Sequence, residues 1–170
     1  MSGLGGDLRY AAPMATPSAS IRRLGPADVA LLQALNAVFA EAFGDRDTYQ
    51  GAPPTAAYLE GLLAREHVIV LVALAEGEVL GGLVAYEFDK FERMRREVYI
   101  YDLAVAERHR RRHLATALIE RLRGIAAQRG AWVVFVQADH GDDPAIALYE
   151  TLGAREEVLH FDIEVGPGSG

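Results

Sequence analysis

The most informative segment of the chain is Asp102-Leu103-Ala104-Val105-Ala106-Glu107-Arg108-His109-Arg110-Arg111-Arg112-His113-Leu114-Ala115-Thr116. It begins as an apolar strand, continues through a short basic loop, and ends in the first turn of an amphipathic helix that runs to Gly130. Backbone N–H groups are free at a helix N-terminus, where the helix dipole favours anions, and arginines in the same loop add bidentate donors. The segment indicates a phosphate-binding loop, although an exposed basic turn has the same composition.

The remaining hydrophobic pattern predicts one α/β domain over residues 19–164. Strands are predicted at 21–24, 68–74, 79–88, 97–105, 132–136 and 158–163, and helices at 26–43, 54–63, 114–130 and 142–152. The order β-α-α-β-β-β-α-β-α-β favours a mixed, mostly antiparallel sheet with helices on both faces. Residues 1–18 and 165–170 are rich in Gly, Ala, Pro and Ser, and we expect them to be flexible tails.

The composition excludes several mechanisms. The 170 residues contain no cysteine, and serine occurs only at positions 2, 18, 20 and 169, so covalent catalysis by Ser or Cys has no nucleophile in the body of the chain. The five histidines form no metal-binding motif, and we expect no metal. No apolar run is long enough to span a membrane and no apolar leader is present, so we expect a cytoplasmic protein without membrane contact.

Negative charge is concentrated near the C-terminus. Residues 137–170 hold eight acidic residues and one base, which accounts for the whole net charge of −7. Such a segment is either a solvated acidic face or a site for a cationic substrate. Nucleic acid is not expected as a partner, because its backbone requires Lys and Arg.

A second motif, Asp142-Asp143-Pro144-Ala145-Ile146-Ala147-Leu148-Tyr149, lies on a predicted short helix. Tyr149 is there either a core aromatic or a proton donor. The two motifs together resemble the GNAT superfamily of acetyl-CoA-dependent N-acetyltransferases over about residues 19–163. Arg110 to Ala115 match its Arg/Gln-x-x-Gly-x-Gly/Ala loop, and Asp142 to Tyr149 match its Asn-x-x-Ala-x-x-Leu-Tyr motif.

More closely, the chain resembles the type I aminoglycoside 3-N-acetyltransferases. The matching segments are Tyr99–Val105, Val136–Asp139, Gly141–Pro144, Arg155–Asp162, Phe43-Gly44-Asp45 and Lys90-Phe91-Glu92. Three residues depart from the superfamily pattern: His113 stands at a usual Gly, Asp142 at a usual Asn and Ala154 at a usual Phe. A side chain at residue 113 would crowd the diphosphate of the cofactor if the backbone needed a positive φ, which a helical first turn need not have.

The resemblance implies a role for each candidate residue. Acetyl-CoA would be held by the backbone of Leu103, Ala104 and Val105, by the loop residues Arg110, Arg111, Arg112, His113, Leu114, Ala115 and Thr116, and by Pro144 and Tyr149. Tyr149 would protonate the departing thiolate. The acceptor would meet an anionic surface formed by Asp102, Asp139, Asp142, Asp143, Glu156 and Glu157.

Asp102 is the candidate base for the attacking amine. By strand alternation it shares a face with Val98 and Ile100, so we expect it to be partly buried with a raised pKa. The alternative is a carboxylate that only anchors the cation.

The resemblance implies direct acetyl transfer to the 3-amino group of an aminoglycoside, which would confer antibiotic resistance. An acetyltransferase for a polyamine or a peptide amine is the alternative on the same fold. A non-catalytic acyl-CoA-binding module is a further alternative, against which the presence of Tyr149 argues. An exposed edge at residues 158–163 would let two subunits pair as a homodimer.

Overall fold

The computed structural model describes residues 19–166, and the predicted tails at 1–18 and 167–170 lie outside them. Its internal contacts divide the chain into a first unit ending at Val136 and a second unit beginning at Gln137. The first unit contains the sheet and four helices. The second contains one helix.

A five-stranded sheet organises the first unit, in the spatial order β1-β2-β3-β4-β5. The strands are β1 Ser20–Arg23, β2 Val68–Ala75, β3 Glu78–Asp89, β4 Arg96–Val105 and β5 Ala131–Val136. The first four are antiparallel neighbours, and β5 runs parallel to β4. The parallel strands β4 and β5 are joined through a helix at Leu114–Gln128, and a parallel pair requires a crossover connection of this kind. The predicted mixed, mostly antiparallel sheet is confirmed.

The helices of the first unit cover both faces of the sheet. They are α1 Val29–Ala42, α2 Arg46–Gln50, α3 Ala56–Leu63 and α4 Leu114–Gln128. One core is formed by α1, α3 and alternate residues of β2. It includes Leu35 and Phe39 of α1 and Val70 and Val72 of β2. The other face of β2 presents Ala73, which packs with Leu114 of α4. Because side chains alternate along a strand, the sheet presents one apolar face to α1 and α3 and the other to α4.

Close packing of α1 on the sheet depends on a glycine in β3. A Cβ built at Gly82 would lie 2.5 Å from the Leu71 carbonyl oxygen and 2.7 Å from a methyl carbon of Leu35. Since Leu35 is fully buried, its side chain has no room to move away. Gly82 therefore sets the distance at which α1 packs on the sheet.

A buried ion pair ties the end of α4 to the middle of the sheet. Arg129, which follows α4, donates from Nε and Nη2 to the two carboxylate oxygens of Glu87 at 2.6 and 2.9 Å. Arg96 of β4 lies 3.6 Å from the same carboxylate, whose side chain is only 5% exposed. Bidentate pairing compensates the burial of this charge.

Two local predictions were wrong. Residues 46–50 form α2, which the sequence interpretation had missed. Residues 153–166 contain neither helix nor strand, so the strand predicted at 158–163 is absent from the described chain. A strand requires a neighbour for its backbone hydrogen bonds, and the apolar side chains of Val158, Leu159, Phe161 and Ile163 are exposed. Alternation in the sequence alone does not supply that neighbour.

The second unit is built around α5, Asp143–Leu152. The Asp142 carboxylate accepts a hydrogen bond from the Ala145 N–H at 3.2 Å, and Pro144 lies in the first turn. Both features are typical of a helix start. Within residues 19–166 no helix is long and apolar enough to cross a membrane, and no cluster of three acidic or histidine side chains is suited to a metal ion.

Candidate active site

The strand β4 extends beyond its parallel neighbour. It pairs with β3 as far as Val105, whereas β5 pairs only with Arg96–Ile100. On the β5 side no described strand is hydrogen-bonded to residues 101–105, so the backbone groups that point that way form a short open edge. Leu103, Ala104 and Val105 lie on this edge. An extended amide chain could add to it in the manner of another strand.

The basic loop leads from this edge into α4. A 3-10 turn at Glu107–His109 follows β4, and the three exposed side chains of Arg110, Arg111 and Arg112 come next. The Arg110 Nε donates to the Val105 carbonyl at 3.4 Å, which keeps this guanidinium near the end of β4. The loop thus has three cationic side chains close to a helix start.

The N-terminus of α4 has free donors. His113 is the N-cap residue and its side chain makes no capping hydrogen bond. The N–H groups of Leu114, Ala115 and Thr116 therefore face outward from a helix of 15 residues, at the positive end of its dipole. Donors of this kind, together with arginines, are suited to a diphosphate. The loop fits the phosphate-binding role that the sequence predicted for it.

His113 adopts a conformation that the sequence interpretation did not expect. Its φ is +57° and its ψ is +18°, in the left-handed region, and Arg111 also has a positive φ of +62°. The expectation that the helix start needs no positive φ at residue 113 was wrong. A residue with a Cβ is disfavoured in this region, typically by about 1–2 kcal/mol, whereas glycine is not. The left-handed backbone explains why the superfamily motif has Gly at this position, and His113 is strained there.

Asp102 lies on the opposite face of β4 from the one predicted. Val84 pairs with Asp102 and the next residue, Ala85, pairs with Ile100, so Tyr101 is an extra residue that forms a β-bulge. The bulge reverses the alternation, and Asp102 therefore shares the face of Val84, which packs against the core under α1. Simple alternation had placed it with Val98 and Ile100.

The Asp102 carboxyl is half-buried on that face. Burial raises its pKa, which agrees with the direction predicted, and the nearby Tyr49 hydroxyl opposes the rise. No described Arg or Lys forms an ion pair with Asp102. A carboxylate with a raised pKa and no cationic partner is able to accept a proton from an amine near neutral pH.

Tyr49 is a residue that the sequence interpretation missed. It lies in α2, far from Asp102 in the sequence, and burial together with the nearby Asp102 charge raises the pKa of its hydroxyl. The local signal for α2 is Asp45, whose carboxylate accepts from the Thr48 N–H at 3.0 Å as a helix N-cap. That signal predicts the short helix but does not indicate which strand the helix contacts.

In the second unit, Tyr149 lies on α5 and is half-buried. Burial, with a smaller contribution from the Asp142 charge, raises the pKa of the Tyr149 hydroxyl to about 12. The phenol therefore carries its proton at neutral pH. A protonated phenol meets the first requirement for a proton donor. The same burial is also compatible with a tyrosine that serves only as a core aromatic residue.

The five candidate acidic residues of the second unit are exposed, but two of the five have partners. These candidates are Asp139, Asp142, Asp143, Glu156 and Glu157. Arg155 pairs with Glu157 at 2.5 Å and with Glu150 at 3.4 Å, and Asp142 is engaged as the N-cap of α5. Glu157 and Asp142 are therefore less available to a ligand than the other three candidate carboxylates, which a count of acidic residues does not show.

Comparison with known proteins adds an independent line of evidence. The acetyltransferase (GNAT) family model matches residues 30–154. The crystal structure of the aminoglycoside acetyltransferase HMB0005, from an uncultured soil metagenomic sample, is 56% identical, with a TM-score of 0.86 over 88% of this chain and 99% of that one.

Two further relatives are more distant. The aminoglycoside acetyltransferase meta-AAC0020, also from an uncultured soil metagenomic sample and crystallised with sisomicin, is 30% identical with a TM-score of 0.81, over 86% of this chain and 96% of that chain. The uncharacterised N-acetyltransferase YhfO of Bacillus subtilis (strain 168) is 26% identical over 148 residues, which are 86% of this chain and 97% of that protein. All three are acetyltransferases by name.

Proposed function

The chain belongs to the acetyltransferase (GNAT) family, and we propose that it transfers an acetyl group from acetyl-CoA to the 3-amino group of an aminoglycoside. The observation that carries the acceptor class is the 56% identity, over 99% of its length, to an aminoglycoside acetyltransferase. The sisomicin complex of a second relative supports the same class. Acetylation removes a positive charge from such a compound, which is how the enzyme would confer resistance.

Acetyl-CoA is the co-substrate of the family, and residues of this chain fit it at two places. The open edge of β4 at Leu103–Val105 offers backbone donors and acceptors to the amides of the pantetheine arm. The loop Arg110–Thr116 offers its free N–H groups and guanidinium groups to the diphosphate. Bound there, acetyl-CoA supplies an activated acetyl group. We assign Pro144 and Tyr149 to the same ligand because the resemblance implies it.

Asp102 is proposed as the base. An ammonium ion cannot attack a carbonyl, so the acceptor amine must lose a proton before the new C–N bond forms. Burial raises the pKa of the half-buried Asp102 carboxyl, which makes it a stronger proton acceptor than an exposed aspartate. Its negative charge also attracts the ammonium form of the same amine. We infer that Asp102 both orients the amine and takes its proton.

Tyr149 is proposed as the acid. As the C–S bond of the thioester breaks, the sulfur leaves with the electron pair and needs a proton. A phenol that stays protonated at neutral pH is able to donate it. Direct attack by the amine, which the resemblance implies, is consistent with the absence of cysteine from the chain and of serine between residues 21 and 168.

The acidic residues of the second unit are proposed to attract the polycationic acceptor. An aminoglycoside carries several ammonium groups, which respond to several carboxylates together. Asp142 is the most direct test, because Asn also caps helices well and Asp142→Asn should leave α5 intact. We expect this variant to raise the KM for the acceptor and to reduce its salt dependence. Asp102→Asn should instead lower kcat.

One experiment separates the proposed acceptor from the alternatives. CoA release is measured with gentamicin, spermidine and a lysine peptide, and the acetylated position of the aminoglycoside product is determined by NMR. Acetylation of gentamicin at the 3-amino group supports the proposal. Turnover with spermidine or the peptide but not with gentamicin contradicts it and leaves a different amine acceptor. Binding of acetyl-CoA without turnover of any amine indicates a non-catalytic module. A cytoplasmic location and a homodimer stay predictions.

A further inference from the structure

Five aromatic side chains of β3, β4 and β5 are in contact on one face of the sheet. Phe88 contacts Phe135, with ring centroids 6.1 Å apart, and Phe135 stacks on Tyr99 at 5.0 Å. Tyr101 meets Tyr99 and Tyr86 edge-to-face, at 6.0 and 5.9 Å. We call these five residues the aromatic stripe. Tyr101 is 62% exposed, and a contiguous aromatic surface that is open to solvent is typical of a binding site.

The strand register places Asp102 on the same face as the aromatic stripe. Val84 pairs with Asp102, and Tyr86 pairs with Tyr99. Val84 and Tyr86 are two residues apart on β3, so both pairs lie on one face. Tyr101 is the extra residue of the β-bulge, and its ring contacts with Tyr86 and Tyr99 show that its side chain lies on this face too. Consecutive residues of a regular strand point to opposite faces, so the bulge is what brings Tyr101 and Asp102 together.

The charges on this face favour a cation. Alternation along β3, β4 and β5 places two carboxylates there, those of Asp102 and Glu97, whereas Arg96, the one basic residue of these strands, pairs with Glu87 on the opposite face. Glu97 is already paired with basic residues of the β3–β4 loop at 3.6 and 3.8 Å. The face of an aromatic ring also attracts an ammonium group that lies within about 6 Å of its centroid. The ring of Tyr101 and the carboxylate of Asp102 therefore offer a cation two kinds of favourable contact.

We propose that the aromatic stripe is the acceptor subsite, in which the Tyr101 ring holds one ammonium group of a polycationic amine while Asp102 engages the amine that reacts. This inference rests on the function proposed above and states how the acceptor is recognised. A polycationic amine carries several amino groups on one small molecule, so one group contacts the ring while another meets the carboxylate. Tyr101 thereby selects acceptors that have a second cationic group near the reacting one.

The test compares Tyr101→Leu, which removes the aromatic ring, with Tyr101→Phe, which keeps it. With gentamicin as acceptor, Tyr101→Leu should raise the KM about 5- to 10-fold, as expected for the loss of a partly desolvated cation–π contact, and Tyr101→Phe should stay within about twofold of the wild type. The values of kcat and of the KM for acetyl-CoA should change little, because the ring transfers no proton. Phe91→Leu is the matched control, because Phe91 is 99% exposed and lies outside the stripe, and its KM should equal that of the wild type.

A second measurement does not depend on turnover. Calorimetric titration with gentamicin and with spermidine, in the presence of CoA, gives the Kd of each amine for the wild type and both Tyr101 variants. Weaker binding in Tyr101→Leu that Tyr101→Phe restores supports the inference, even if the bound amine is spermidine or is not acetylated, in which case only the proposed function fails. Acetylation of gentamicin with an unchanged KM and Kd in Tyr101→Leu overturns the inference and leaves the proposed function standing. Equal losses in the two variants, or no binding of either amine to the wild type, also overturn it.

Discussion

His113→Gly is expected to stabilise the protein. The φ of +57° at His113 costs about 1–2 kcal/mol for a residue with a Cβ. The imidazole is exposed, so its removal sacrifices little packing. Glycine loses more backbone entropy on folding, by about 0.5–1 kcal/mol, so the net gain should be at most about 1.5 kcal/mol, with a central value of about 0.8 kcal/mol. For a chain of this length that corresponds to a Tm increase of about 1–4 °C.

Differential scanning calorimetry and urea unfolding measure the effect, with Ala117→Gly as the control. Ala117 is exposed inside the same helix, where glycine is expected to lower the free energy of unfolding by about 1 kcal/mol. The two glycine variants should therefore change stability in opposite directions. If His113→Gly lowers the Tm as Ala117→Gly does, the strain assigned to residue 113 is refuted. Affinity for acetyl-CoA should change little in His113→Gly, because the phosphate contacts proposed above come from N–H groups and arginines and not from the imidazole.

Replacing Arg110 and Arg112 together by Ala should weaken acetyl-CoA binding in calorimetric titration, with a larger loss at low salt, because these exposed charges are screened by ions. Tyr149→Phe should lower kcat by about 10²-fold in a CoA-release assay while the KM values change little, since only the proton is removed. Glu87→Gln should lower the free energy of unfolding by about 3 kcal/mol in urea, because it leaves the Arg129 guanidinium without its buried carboxylate.

Each of these three predictions has a result that contradicts it. Unchanged acetyl-CoA affinity in the double variant would reject the phosphate loop. Wild-type turnover in Tyr149→Phe would make that residue a packed aromatic. For the ion pair, Glu120→Gln is the control, because its 2.7 Å pair with Arg123 is exposed and should contribute less than about 1 kcal/mol. Equal decreases in the free energy of unfolding for Glu87→Gln and Glu120→Gln would show that the buried pair contributes no more stability than the exposed one.

Local patterns in the sequence were sufficient for most of the elements and for two motifs, although not for α2 or for the lack of a strand at 158–163. The continuous apolar run of β2, the helical spacing in α4 and the Asp142 cap of α5 each depend on residues only a few positions apart. The same holds for the loop Arg110–Thr116, whose arginines and helix start are adjacent in the chain. Short-range stereochemistry controls these features, so the sequence alone predicted them.

The tertiary structure decided what depends on distant residues. The bulge at Tyr101 exists because β3 and β4 pair in a particular register, and it places Asp102 on the face opposite to the one that alternation predicts. Tyr49 and Asp102 shift each other's pKa, although they belong to segments with no local relation. Residues 158–163 have strand-like alternation but no paired strand. Three features depend on which segments of the chain meet: the face that a strand residue occupies, the groups around a carboxylate, and the formation of a strand. Backbone and side-chain hydrogen bonds need partners that the local sequence does not contain.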